Sequence, residues 1–171
     1  MSEYIVEAKS RKALRMLADE LKRVLGIENM IRIPIVGVLE ILPELFKNCN
    51  YEIVPDDSLP DEVHAETDIY SGNITIKESV YEGAIKENGR DRMTIAHEIG
   101  HFVTLCFCGF KLQRSFGNKA DIYQDPEWQA KCFAGELMVP HHLTLNMSPK
   151  EISEKCGVSL YAAKYQYSHR S

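Results

Sequence analysis

Arg92-Met93-Thr94-Ile95-Ala96-His97-Glu98-Ile99-Gly100-His101 is the stretch on which the reading of this chain turns. Its pattern is helical from Arg92 to about Leu105, and Ile95, Ile99, Phe102 and Val103 give the helix an apolar back. On a helix, residues four apart stand one above the other, so His97 and His101 project two imidazoles the same way. That spacing suits one zinc ion, and Glu98 lies beside the face, able to meet a metal-bound water without taking a ligand position. The bare pattern arises by chance about once in fifty chains of this composition. The apolar back strengthens it, because it sets the histidines along an interior cleft.

A catalytic zinc takes three protein ligands and leaves a fourth position to water. The third ligand must come from elsewhere. Asp125-Pro126 opens a downstream helix, with Asp as N-cap and Pro at the first position, and the helix runs to Val139 and stops at Pro140. Along it Ala130, Phe133, Ala134, Leu137 and Met138 cluster on one arc, with Glu127 at the arc's edge and Glu136 across from it. A carboxylate aimed at a core needs a strong partner, since burying it alone is costly. Glu127 is therefore the expected third ligand, set against the plainer reading of a first-turn acid favoured by the helix dipole. Asp121 and Asp125 are outside candidates.

Working outward, Leu14, Leu17, Leu21, Val24 and Leu25 predict an amphipathic helix from about Glu7 to Leu25, ended by Gly26. A second helix is expected over Ile35 to Phe46, interrupted near Pro43. Tyr51 to Val54 reads as a strand. Ala65 to Tyr70 and Ile74 to Lys77 read as a hairpin joined through Ser71-Gly72-Asn73. Glu78 to Glu87 looks helical, Cys106 to Gln124 irregular, and the tail forms two short helices, Pro149 to Lys155 and Ser159 to Tyr167, broken at Gly157. This order predicts an α+β fold in one domain. Residues 1–48 supply N-terminal helices, 49–140 a catalytic core and 141–171 a C-terminal helical appendage.

The 171 residues carry a net charge of −5, which argues against a surface built for nucleic acid. No apolar run approaches the roughly 20 residues that span a bilayer. The first residues have neither a basic nor an apolar signal region, and the five cysteines follow no CxxC pairing. Free thiols in a cytoplasmic protein are the simplest expectation.

The block from Arg92 to His101, followed by Glu127-Trp128-Gln129-Ala130-Lys131-Cys132-Phe133-Ala134-Gly135-Glu136-Leu137-Met138-Val139-Pro140, closely resembles the ImmA/IrrE family of zinc metallopeptidases. The resemblance is specific over residues 90 to 140, looser from about 51 to 89 and slight in the first fifty. It implies a minimal zincin-like fold, with a small twisted sheet packed on the motif helix. It also implies zinc held by His97, His101 and Glu127, with Glu98 as the catalytic glutamate. The implied partner is a helix-turn-helix (Xre-type) repressor that is cleaved or inactivated, or the antitoxin of a toxin–antitoxin pair. Lys131 stands where the family usually has Asn, and Met138-Val139 replaces its usual Leu-Met order.

A donor for the tetrahedral oxyanion is also expected. His141, His142, Tyr70, Tyr81 and Tyr123 are candidates, although His141-His142 reads equally as a solvated loop. Ile74-Thr75-Ile76 is a candidate edge for an extended substrate. Cys106 and Cys108 lack the partners of a closed metal site. The acidic stretch from Glu52 to Asp68 offers attraction to a basic repressor surface, or is a solvated loop. Glu151 to Ala163 echoes a helix-turn-helix, but Lys164 and Arg170 are too few cations for strong phosphate contact. The rival readings are thus a repressor-binding protein that does not cut and, further off, a DNA-binding tail.

Overall fold

In a computed structural model, which describes residues 4–108, 113–114 and 121–170, the first long helix is α1, Arg11–Val24. It starts later than the expected Glu7 because Ser10 caps it, the serine hydroxyl accepting the Ala13 N–H at 3.2 Å. Helix α2, Ile35–Leu45, is not interrupted at Pro43. The proline sits in the last turn, where it removes one backbone bond just before the helix ends.

Strands β2 (Asn50–Val54), β3 (Ala65–Thr67) and β4 (Asn73–Lys77) form a sheet in the order β2-β4-β3. β2 runs parallel to β4, with Tyr51 opposite Ile74, and β3 runs antiparallel, with Glu66 opposite Thr75. The Ile74–Ile76 segment expected at the sheet edge is therefore central, paired on both sides and buried at both isoleucines. β3 is the edge. It stops at Thr67 rather than Tyr70, because Asp68 Oδ1 accepts the N–H groups of Tyr70 (2.9 Å) and Ser71 (3.3 Å) and turns the chain. At Gly72 φ is +76° and a Cβ would collide with the Asn48 carbonyl oxygen, so only glycine closes this loop against the start of β2.

Helix α3, Glu78–Ile85, leads into α4, Gly89–His101, which Asn88 caps by accepting the Arg90 and Asp91 N–H groups. The α-helix expected up to Leu105 gives way after His101 to a π-helical turn, Phe102–Phe107, where the Thr104 hydroxyl donates to the Gly100 carbonyl at 2.8 Å. Helix α5 spans Pro126–Met138, capped by Asp125 as its sequence predicts. Then come α6 (His141–Thr144), α7 (Pro149–Cys156) and α8 (Leu160–Ser168). The loop expected at His141-His142 is thus a short helix, with His141 half-buried and His142 exposed. Strand β1, Tyr4–Ile5, pairs antiparallel with β5, Gln113–Arg114. Within the stretch read as irregular, the π-turn with Cys108, β5, and Asp121 with a 3-10 turn at Ile122–Gln124 are described, and the rest lies outside the described residues.

The arrangement is α+β. Leu14 and Leu21 of α1, Leu39 of α2, Ile76 of β4, Ile99 of α4 and Phe133 of α5 meet in one core. α5 lies in the middle of it, and every residue from Cys132 to Pro140 is buried. Glu136, expected across from the core, is consequently only 2% exposed, its carboxylate held by Arg11 Nη1 at 3.0 Å and Arg15 Nε at 2.8 Å. At the other end, Arg92 of α4 is buried and donates to the carbonyls of Ile33 (2.8 Å), Gly157 (3.0 Å) and Cys156 (3.3 Å). No described helix is long and apolar enough to cross a membrane.

Candidate metal centre

Two helices bring the centre together. α4 carries His97, Glu98 and His101, and α5 presents Glu127 from its first turn. They approach closely because position 100 has no side chain, so Gly100 packs against the backbone of Ala130. Ala130 lies one turn beyond Glu127, and this contact levels the carboxylate with the two imidazoles.

Glu127 Oε2 lies 3.2 Å from His97 Nε2, and Oε1 lies 3.1 Å from His101 Nε2. The two ring nitrogens are 3.1 Å apart. Tetrahedral zinc, with bonds of about 2.0–2.1 Å, needs its ligand atoms roughly 3.3 Å apart. The three groups therefore fit that ion in donor type and in spacing, and among the described residues they form the one such His/Cys/Asp/Glu cluster. Bonds from His101 and then His97 hold the Glu127 carboxyl far below the usual carboxylate range. Burial pulls His101 down, but the Glu127 carboxylate more than offsets it and leaves the imidazole above its ordinary value.

Glu98, next to His97 on α4, lines the same cleft and is buried. Thr67 of edge strand β3 reaches it, with Oγ1 2.7 Å from Glu98 Oε2 and 3.1 Å from the Glu98 carbonyl oxygen. Oε1 has no protein partner among the described residues. Thr67 was not among the residues singled out from the sequence. The alternation of the 65–70 segment places Ala65 and Thr67 on one face, but only the sheet's docking on α4 gives that face its meaning.

The centre opens into a cleft of about 720 Å³, lined by Ala65, Glu66 and Thr67 of β3 and by Thr94 and Pro126 of the helices. Tyr70 lines it and is 84% exposed. Tyr123 does not line it; its ring packs edge-on against Trp128, with centroids 5.2 Å apart. His141 borders a separate small cavity with Glu136 and Arg170. Tyr81 donates to Glu40 at 2.6 Å, away from the cleft. His64, which sequence reading also passed over, lines the cleft with its Nε2 3.1 Å from Arg90 Nη2.

No family model and no curated protein matches the chain. Among solved structures the fold is similar to that of a Mycobacterium tuberculosis transcriptional regulator, with a TM-score of 0.58 and 16% identity. The match covers 90% of this chain and 45% of that one, so the chain spans less than half of the regulator's length. At that identity the likeness speaks to the fold alone.

Proposed function

We propose that this protein is a cytoplasmic zinc-dependent endopeptidase of zincin-like fold, and that its substrate is a helix-turn-helix repressor. The observation that carries the reading is the meeting of His97, His101 and Glu127 beside a buried Glu98 in an open cleft. His97, His101 and Glu127 would hold the ion. When bound, zinc supplies Lewis acidity that polarises the scissile carbonyl and makes the attacking water more acidic.

Glu98 is the general base. Thr67 fixes its Oε2 and leaves Oε1 to take the water's proton and pass it to the leaving amine. The free side of β3 offers a backbone edge along which an extended substrate can lie beside Glu98. Of the oxyanion candidates, Tyr70 is the one that lines this cleft.

The repressor as substrate rests on the resemblance of residues 90–140 to the ImmA/IrrE peptidases. Against a DNA-reading tail, Arg170 is spent internally: Nη1 donates to the Thr144 carbonyl at 3.1 Å, and the guanidinium lies over the Tyr167 ring. The test mixes the protein with the repressor encoded beside it, with and without a chelator, next to Glu98→Gln. Zinc-dependent cleavage that vanishes in the variant is the expected result. Binding without cleavage in every sample sinks the enzymatic reading, and a salt-sensitive shift of operator DNA by the protein alone revives the tail as a reader.

A further inference from the structure

The metal cleft continues past His97. Thr94 and His97 also line a second groove of about 510 Å³ between α4, α5 and α8. The two compartments therefore share a wall at the metal centre, and their chemistry is opposite. The first is lined by Glu62, Glu66, Glu98 and Glu127, with no Lys or Arg among its lining residues, although Arg90 reaches its rim at His64. The second contains Lys131 and Arg90 and no carboxylate among its lining residues, and Met93, Trp128, Tyr161 and Tyr165 give it an apolar surface. Tyr161 stands at its rim 82% exposed, and Lys131 makes no ion pair among the described residues. A large apolar surface left open beside an unpaired cation fits a ligand rather than the core.

We propose that the α4–α5–α8 groove is the second arm of the substrate cleft, and that it receives a large apolar side chain flanked by a carboxylate. The acidic arm on the far side of His97 receives basic side chains. The substrate class is thus a polypeptide segment with an apolar–acidic pair on one side of the reacting bond and basic residues on the other. This deepens the peptidase reading and rests on it for the location of the bond, but not for the binding itself.

The chain's single tryptophan, Trp128, lines the groove, so its emission reports occupancy independently of catalysis. The probes are tryptophan-free synthetic peptides in which Phe-Glu and Arg-Arg flank a Gly-Gly link, made in both chain directions, each with a Phe→Ser partner. Zinc-loaded Glu98→Gln protein is titrated for Trp128 emission, and zinc-loaded native protein is assayed for cleavage. The expected result is a saturable emission change for one direction, weakened about tenfold or more by Phe→Ser. Tyr161→Ala should weaken it similarly, and Lys131→Glu should weaken the Glu-containing peptide more than its Gln analogue. Equal responses to the Phe and Ser peptides overturn the proposal, as does an unchanged emission up to about 1 mM peptide. Phe-dependent emission without cleavage keeps the groove and sinks the peptidase. Cleavage indifferent to Phe keeps the peptidase and sinks the groove.

Discussion

A Cβ added to Gly100 would lie 2.7 Å from the carbonyl oxygen of Ala130, closer than real contacts allow. The neighbour is backbone, so relief requires α4 and α5 to part. Gly100→Val should therefore cost about 1–3 kcal/mol of stability and weaken zinc binding at the same time. Calorimetric melting and zinc titration of the variant check this. Native affinity in a destabilised variant would mean that helix spacing does not set the ligand triad.

The Thr67–Glu98 bond is the second lever. A hydrogen bond to a charged group is worth about 1.5–3 kcal/mol, so Thr67→Val should lower kcat roughly 10- to 100-fold with little change in KM. Thr67→Ser keeps the hydroxyl and should restore most of the rate. If Val and Ser variants turn over alike, Thr67 only shapes the sheet.

Removing the metal should not unfold the chain. The packing of α4 on α5 is apolar and needs no ion, with Ile95, Ile99, Phe133 and Leu137 all fully buried. Zinc at a thousandfold over Kd should add about 4 kcal/mol by linkage, lost on chelation while the helical circular dichroism persists. His97→Ala should lose that increment. A chelated protein that melts into a coil at room temperature would contradict a preformed site.

The thiols give an independent probe of the core. Burial pushes Cys49, Cys106, Cys132 and Cys156 up to about 11, and raises Cys108 as well, although Cys108 is exposed. A pKa raised in the folded state makes thiolate scarcer than in the unfolded chain at pH 8. A disulfide reagent should label Cys108 first, half-buried Cys106 more slowly, and Cys49, Cys132 and Cys156 only with unfolding. Prompt labelling of all five in the native protein would place those side chains wrongly.

The readable parts of the centre were those set by a single helix. His97, Glu98 and His101 follow from i and i+4 geometry, and Glu127 from its place on a neighbouring arc. Glu136 departs from that reading because the arc presumes one buried face, whereas the second half of α5, from Cys132 on, is buried on every side and the arginines of α1 make the enclosure bearable. The edge of the sheet was misplaced for a different reason: β2 joins β4 in parallel across a long separation that no local pattern announces. Thr67 was missed on the same ground, since its bond to Glu98 depends on how sheet and helix dock.

Arg92 ties both ends of the chain to one turn of the metal-bearing helix, reaching Ile33 ahead of the sheet and Cys156 and Gly157 behind the core. The consequence concerns modularity. A chain trimmed at Pro140 would take from the buried Arg92 guanidinium two of its three carbonyl acceptors and remove a wall of the second groove, so the segment after Pro140 cannot be exchanged between relatives as a freely attached module. Shuffled chimaeras of this architecture should survive only when the donor of α4 also supplies the turn after α7.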